Sequence, residues 1–307
     1  MHDKLKNIEK QSFLEILFAS IEANFKKPQT DTQKCKKLVS KYKLINPINK
    51  NGKLHNFATG IYENGGKKYF IKTWNKKSKD LSYYSAINEF RVSSILFDKF
   101  KNISNKVYVP EPIEIVKSKD GSFSYIYEFI EGKALSKLKA DEHKTYFNKV
   151  LKTIKKVSAS LSEEEKKYFN NRGMYFYLSS LPILALLAVC KSPSDLHIIT
   201  KACINFLKKV KDVDHTFSLA HRDIHTDNIK VARNKIYLLD SEDVVWTFSG
   251  FDESDLNIFY KYKLKDKNGF SAKIENSKFL EIYIAIHRSG NNLREDYYRQ
   301  YLISNYG

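Results

Sequence analysis

Cysteine, arginine and glycine are all scarce in this chain, and each shortage closes off a class of protein. The three cysteines, Cys35, Cys190 and Cys203, are irregularly spaced. They offer neither a disulfide framework nor a zinc-binding pattern. Glycine (11) and proline (6) are thinly scattered over 307 residues, with no repeat and no low-complexity tract. Only seven of the 53 basic residues are arginine, although the net charge is +18. Such a balance first suggests nucleic acid. Reading bases and phosphates by bidentate contacts favours arginine, however, and the lysines are spread along the whole chain, so a nucleic-acid partner is disfavoured. A solvated lysine surface is one alternative, and attraction to an anionic membrane or glycan is the other. The start, Met1-His2-Asp3-Lys4, lacks the apolar core of a secretory signal. A cytoplasmic protein is therefore expected, reaching the inner face of the membrane if the basic surface is used there.

Long apolar runs are absent with one exception, residues 174–190, MYFYLSSLPILALLAVC. Ser179, Ser180 and Pro182 interrupt it, and Pro fits a first helical turn, so a buried helix beginning near Pro182 is expected. Exposed beside basic residues, the same helix would instead seat the protein on a bilayer. Elsewhere, strand patterns dominate residues 41–131, with a helix-spaced segment from Tyr83 to Phe100 among them. Helical patterns dominate from about residue 134, broken by a hairpin at 219–247. The chain is thus expected to be α+β, with a small antiparallel-sheet lobe at 41–131 and a larger, mainly helical lobe at 132–307. Phe13, Leu14, Leu17, Phe18 and Ile21 mark an amphipathic helix in an N-terminal extension, residues 1–40.

The densest chemistry lies at 219–243, LAHRDIHTDNIKVARNKIYLLDSED. His221-Arg222-Asp223 is followed by Asn228, then by the apolar strand Ile236-Tyr237-Leu238-Leu239 that delivers Asp240. One carboxylate can orient or deprotonate an acceptor hydroxyl. An amide and a second carboxylate can hold Mg²⁺ on nucleotide phosphates. A polar turn before a buried strand, with Asp223 as a cap, is the plainer reading of the loop alone. Upstream, Ile61 to Trp74 reads as a hairpin turning at Asn64-Gly65-Gly66, with Lys72 near the end of its second strand. Lys68 shares the strand parity of Lys72, and Lys67 is a further alternative. Glu89, in the helix-spaced segment, is the carboxylate chosen to pair with Lys72.

These residues resemble the aminoglycoside phosphotransferase and choline kinase-like family of the protein-kinase-like superfamily. The likeness rests on His221-x-Asp223, Asn228, Asp240-Ser241-Glu242, Tyr69-Phe70-Ile71-Lys72 and the strand Ser124–Ile130 ending in Glu131-Gly132. It implies a protein-kinase-like bilobal fold and an ATP- and Mg²⁺-dependent kinase. Asp223 would be catalytic, Asn228 and Asp240 would bind the metal, and Lys72, steadied by Glu89, would hold the phosphates. The backbone of Glu128, Phe129 and Ile130 would meet the adenine. The candidate phosphate loop, Asn49 to Asn56, has one glycine and departs from the family pattern. No Asp-Phe-Gly or Ala-Pro-Glu is present, which argues against a protein substrate. A hydroxyl on a sugar, cell-surface glycan or glycolipid is the leading acceptor. Choline-like alcohols, metabolites and aminoglycosides remain alternatives, and so does a basic pseudokinase adaptor. The acidic residues beyond Asp240 (Glu242, Asp243, Asp252, Glu253, Asp255) could face a cationic acceptor or support the metal. Asp252 and Ser254 are expected first of all as helix N-caps.

Overall fold

A computed structural model describes residues 39–48, 57–74, 81–104, 106–117, 123–270, 274, 276–290 and 296–307. The expected N-terminal helix and the candidate phosphate loop lie outside them. The chain divides into two compact units. One is drawn from Met1–His143 with Thr226–Asp243, the other from Lys144–His225 with Val244–Gly307.

The first unit is built on a five-stranded antiparallel sheet. Its strands are β1 (Lys43–Pro47), β2 (Phe57–Asn64), β3 (Lys67–Trp74), β5 (Pro112–Lys117) and β6 (Phe123–Glu128), in the order β1-β2-β3-β6-β5. The β2–β3 turn uses Gly65 and Gly66, both at positive φ, as the Asn-Gly-Gly signal predicts. β6 is apolar and aromatic at alternate positions and buried along nearly its whole length, as a central strand requires. Helix α1 (Leu81–Ile103) packs against β5 and supplies Val92, Ile95, Leu96 and Phe100 to the interior.

A second sheet in this unit runs β4 (Val107–Tyr108), β11 (Lys235–Leu238), β10 (Ile229–Ala232) and β7 (Lys133–Ala134). The β10–β11 hairpin turns at Arg233-Asn234, both left-handed, which suits a two-residue type I′ connection. Pairing with β7 and β4 attaches this late segment of sequence to the first unit. Contact therefore overrides chain order.

The second unit is mainly helical: α2 (Ala140–Ser160), α3 (Glu163–Lys166), α4 (Met174–Lys191), α5 (Leu196–Lys209), α6 (Phe251–Ile258), α7 (Ser277–Ser289) and α8 (Tyr297–Tyr306). The division falls within the first turn of α2. A short sheet, β8 (Asn170–Arg172), β12 (Val245–Phe248) and β9 (Phe217–Ala220), completes it. The core gathers Tyr177, Phe206, Phe248, Phe279 and Tyr283, with Tyr177 and Tyr283 edge-on at 4.5 Å. The Tyr177 hydroxyl is satisfied by Thr247 Oγ1 at 2.6 Å.

Helix α4 corrects the expectation that a helix begins at Pro182. It begins at Met174 and runs through the proline. Pro182 and Leu178 both face outward, so the Leu178 carbonyl that loses its helical donor is turned towards solvent rather than buried. Nor is the helix wholly buried, since only Tyr177, Ser180, Leu181, Leu184 and Ala188 are enclosed. The tyrosines of the tail, Tyr283, Tyr298 and Tyr301, are packed in the core.

Gly132 lies at a close backbone approach in the first unit. A Cβ there would meet the Val231 carbonyl oxygen at 2.7 Å and Ala232 Cβ at 2.9 Å. The neighbour is backbone held in a sheet and cannot swing aside. Gly132→Ala is expected to lower the unfolding free energy by about 1–3 kcal/mol, measured by urea denaturation; an unchanged midpoint would show that β7 and β10 separate freely.

Candidate active site

The first unit holds a buried charge cluster. β3 carries Lys72 inward, and the helical turn of α1 at Glu89 faces it. Lys72 Nζ lies 3.1 and 3.0 Å from the two Glu89 oxygens. The same ammonium lies 2.6 Å from Asp240 Oδ1 and 3.7 Å from Glu242 Oε2. Lys68, the residue of equal parity, instead pairs with Glu131 in solvent. The structure thus brings together Lys72, Glu89 and Asp240, and adds Glu242.

The β10–β11 hairpin explains how Asp240 reaches this place. Ile229 is opposite Leu238, and Leu239 N–H donates to the Asn228 carbonyl at 2.8 Å. Asn228 therefore lies across the hairpin from Leu239, next to Asp240. Asp240 itself is left-handed, with φ 62°, and a 3₁₀ turn, Ser241–Asp243, follows immediately. Asp is one of the few residues with a side chain that tolerates this region.

The electrostatics of the cluster are unbalanced. Burial alone would lower the Lys72 pKa, but Asp240, Glu89 and Glu242 outweigh it and hold the ammonium well above its ordinary value. Burial, opposed by Lys72, pushes the Glu89 carboxyl upward. Glu242 is raised too, by burial and then by Asp240, against the pull of Lys72. Among the described residues one ammonium faces these three crowded carboxylates, and one cation cannot neutralise them. Oxygens of Glu89, Asp240 and Glu242 lie within 4.8 Å of one another, a hard-oxygen set that suits a divalent ion such as Mg²⁺. A further positive charge here would offset both the burial and the acidic neighbours that push Glu89 and Glu242 upward.

At the expected adenine-binding segment, two backbone amides are already engaged. Glu128 N–H donates to the Glu111 carbonyl at 2.9 Å, and Phe129 N–H to the Lys68 carbonyl at 3.3 Å. The Ile130 carbonyl accepts from Lys230 Nζ at 3.0 Å, and that ammonium also lies 4.9 Å from the centre of the Phe129 ring.

In the second unit, β9 leads into His221-Arg222-Asp223. His221 and Arg222 are buried, and Arg222 is left-handed with φ 65°. That conformation is costly for arginine and needs support from its surroundings. Asp252 supplies it: its carboxylate accepts the His221 amide at 2.7 Å and the Arg222 amide at 2.8 Å. Arg288, buried on α7, donates to the Arg222 carbonyl and lies 3.4 Å from Asp255 and 3.7 Å from Asp223. Tyr298 donates to Asp255 at 2.6 Å. His225 Nε2 is 3.4 Å from the other Asp223 oxygen. Asp223 is thus partly exposed, on a loop fixed from behind.

The sequence matches no protein-family model and no curated protein. Its likeness is to solved structures. Spectinomycin phosphotransferase APH(9)-Ia, in complex with ADP and spectinomycin, is 14% identical with a TM-score of 0.59, over 88% of this chain and 94% of that one. Aminoglycoside phosphotransferase APH(4)-Ia is 12% identical with a TM-score of 0.61, over 91% of this chain and 100% of its own. A microcompartment-associated aminopropanol kinase is 11% identical with a TM-score of 0.53, over 89% and 94%. The chain has the aminoglycoside phosphotransferase fold.

Within that fold, two parts of the site were not assigned from sequence, and one expectation fails. Neither Asp252 nor Ser254 is an N-cap: both lie inside α6, where Gly250, at φ 93°, holds that position, and the Asp252 side chain turns to the His221–Asp223 loop instead. Arg288 was not singled out at all, although an arginine within Ile284-Ala285-Ile286-His287-Arg288, in a chain that almost avoids arginine, is the available signal. Glu242 was visible only as one of several acids after Asp240.

Burial lifts the Asp252 carboxyl to about 7, against the pull of the His221 and Arg222 amides. A carboxyl raised on folding binds its proton more tightly in the native state. Its contribution to stability is present at low pH and lost as pH rises through about 7. Wild type is therefore expected to lose stability relative to Asp252→Asn between pH 4 and 7, roughly the span from an ordinary Asp pKa to the raised one. Urea unfolding across that range measures the gap; a gap independent of pH would show that the carboxyl carries no burial penalty.

Proposed function

We propose that this chain is an ATP- and Mg²⁺-dependent phosphotransferase that phosphorylates an alcohol hydroxyl, on a sugar or on a cell-surface glycan or glycolipid. The observation that carries the reading is the buried Lys72 ammonium among Glu89, Asp240 and Glu242. A purely structural ion pair would be matched one to one. An excess of carboxylates with one lysine suits a site whose remaining positive charge arrives with the nucleotide.

In this reading Lys72, held by Glu89, receives the α- and β-phosphates. Asn228 and Asp240 are the metal ligands, and Glu242 stands beside them. Mg²⁺ would neutralise phosphate charge as the β–γ bridge bond breaks. Asp223 accepts a hydrogen bond from the acceptor hydroxyl. As the acceptor oxygen bonds to the γ-phosphorus, the hydroxyl proton passes to Asp223 and ADP departs. Asp252 and Arg288 hold the loop so that Asp223 need not reorganise. The backbone of Glu128 to Ile130 remains the proposed adenine edge, through groups other than the two amides used within the sheet.

The neighbours in fold act on small hydroxyl-bearing acceptors by their names, among them spectinomycin and aminopropanol. This supports a non-protein acceptor here. The preference for a glycan rests on the basic balance of the chain, which would oppose a strongly cationic drug. A soluble alcohol, metabolite or aminoglycoside is the alternative.

The test follows transfer from γ-labelled ATP with Mg²⁺ into a bacterial extract. Asp223→Asn is expected to retain nucleotide binding and lose turnover by at least about 100-fold; undiminished turnover would remove Asp223 from the chemistry. Asp240→Ala is expected to abolish the Mg²⁺-dependent part of nucleotide binding in calorimetry. Equal nucleotide affinity with Mg²⁺ and with EDTA in that titration, for the wild type, would overturn the metal assignment.

A further inference from the structure

We infer that the outer face of helices α4 and α5 is a docking surface for an anionic lipid bilayer. This stands apart from the phosphotransfer reading and rests on the second unit alone. Among the described residues, α4 is the one helix long and apolar enough to cross a membrane. Its inner face is committed to the protein core through Tyr177, Leu181, Leu184 and Ala188. Tyr177 and Ser180 are also tied by hydrogen bonds to Thr247 and Tyr283. At about 27 Å for 18 residues, with one side bonded into the core, it cannot span a hydrocarbon layer of about 30 Å. It is built to lie along one.

The outer face is what a soluble helix normally avoids. Tyr175 is 76% exposed, Leu178 38% and Leu186 61%, and Pro182 is exposed between them. Their spacing of three, four and four residues places them on a single stripe. No charged residue occurs from Met174 to Cys190. Helix α5 follows after the short turn Pro193–Asp195 and packs beside α4 on the same core through Ile198, Ile199, Ala202 and Phe206. Its outward positions repeat the pattern, with Leu196 57%, Ile204 48% and Leu207 54% exposed. Each of these two neighbouring helices buries its inner face in one core and turns an apolar stripe outward, and exposed apolar surface of this kind marks an interaction site.

Charge selects the occupant. Residues 174–212 contain five lysines, Lys191, Lys201, Lys208, Lys209 and Lys211, and two acids, Asp195 and Asp212. Asp195 is held by Arg299 at 2.8 Å and Asp212 by Lys209 at 2.9 Å, so neither is directed at Lys201, Lys208 or Lys211. A second copy docking face to face would bring two sets of lysines together, which like-charge repulsion opposes. Apolar side chains with lysines around them match the acyl boundary and anionic headgroups of a bilayer. Leu186 and Tyr175 would enter the acyl region while the α5 lysines meet phosphate.

The test is co-sedimentation of the full chain with vesicles of phosphatidylcholine alone and with one quarter phosphatidylglycerol. Wild type is expected to bind the anionic vesicles, weakly or not at all the neutral ones, and to be released by salt. Tyr175→Glu with Leu186→Glu should weaken binding by roughly tenfold or more, and Lys201→Glu with Lys208→Glu should do likewise on anionic vesicles only. These positions are exposed, and thermal melts verify that the variants fold. Tyr175→Trp gives an independent reading: its emission should shift to the blue on anionic vesicles. No vesicle binding by wild type, or binding untouched by the apolar substitutions with no shift at Trp, would overturn the inference. A wild-type dimer in solution that Leu186→Glu dissociates would overturn it too, assigning the face to a second copy. None of these readouts involves phosphotransfer, so failure here leaves the proposed activity to its own test.

Discussion

The buried ammonium of Lys72 is the constraint around which the first unit is organised. An ammonium taken from water is tolerated only beside carboxylates that repay its lost hydration. That requirement fixes the register of β3, the rotation of α1 and the end point of the β10–β11 hairpin. All three must deliver an oxygen or a nitrogen to one spot. The carboxyls of Glu89 and Glu242 are pushed upward, by burial first and by their acidic neighbours second. A site left in this condition is poised for a cation, and in the proposed reaction that need is met by magnesium with a nucleotide.

The second unit solves a different problem, that of holding a loop still. A left-handed Arg222 and a partly exposed Asp223 would be mobile on an ordinary surface turn. Asp252 takes two backbone amides from one side, and Arg288 takes the Arg222 carbonyl from the other. Asp255 and Tyr298 anchor Arg288 in turn. The support comes from helices α6, α7 and α8, so the tail of the sequence stabilises a loop more than sixty residues before it. Its buried carboxyl carries an electrostatic cost, offset by hydrogen bonds to groups that would otherwise lack acceptors.

The same unit treats apolar surface unevenly. Its core is dense with aromatic rings at contact distance, and yet α4 and α5 leave large apolar side chains in solvent. Burial of the inner faces explains why the helices form. It gives no reason for the outer ones to be apolar, and the proposed contact with an anionic bilayer would supply one.

By itself the sequence determined the class and the order of parts. Strand periodicity with Asn-Gly-Gly marked the β2–β3 hairpin, because local spacing dictates which face a residue occupies, while His-x-Asp, Asn and a strand-borne Asp marked a candidate site through their resemblance to a known family. Lys72 was chosen over Lys68, and Glu89 as its partner, on position along the strand and family likeness alone; burial gives the choice its geometry, since only one of two same-face lysines lies deep enough to need a buried partner. What the tertiary structure alone decided were contacts between residues far apart in the chain. Asp252 looked like a helix cap because caps are local and its true partners, His221 and Arg222, lie some thirty residues away. Arg288 was silent for the same reason. The start of α4 was misplaced because a proline usually opens a helix. Here the freed carbonyl faces solvent, which lets the helix pass through it, and no local rule records which way that side of a helix will point.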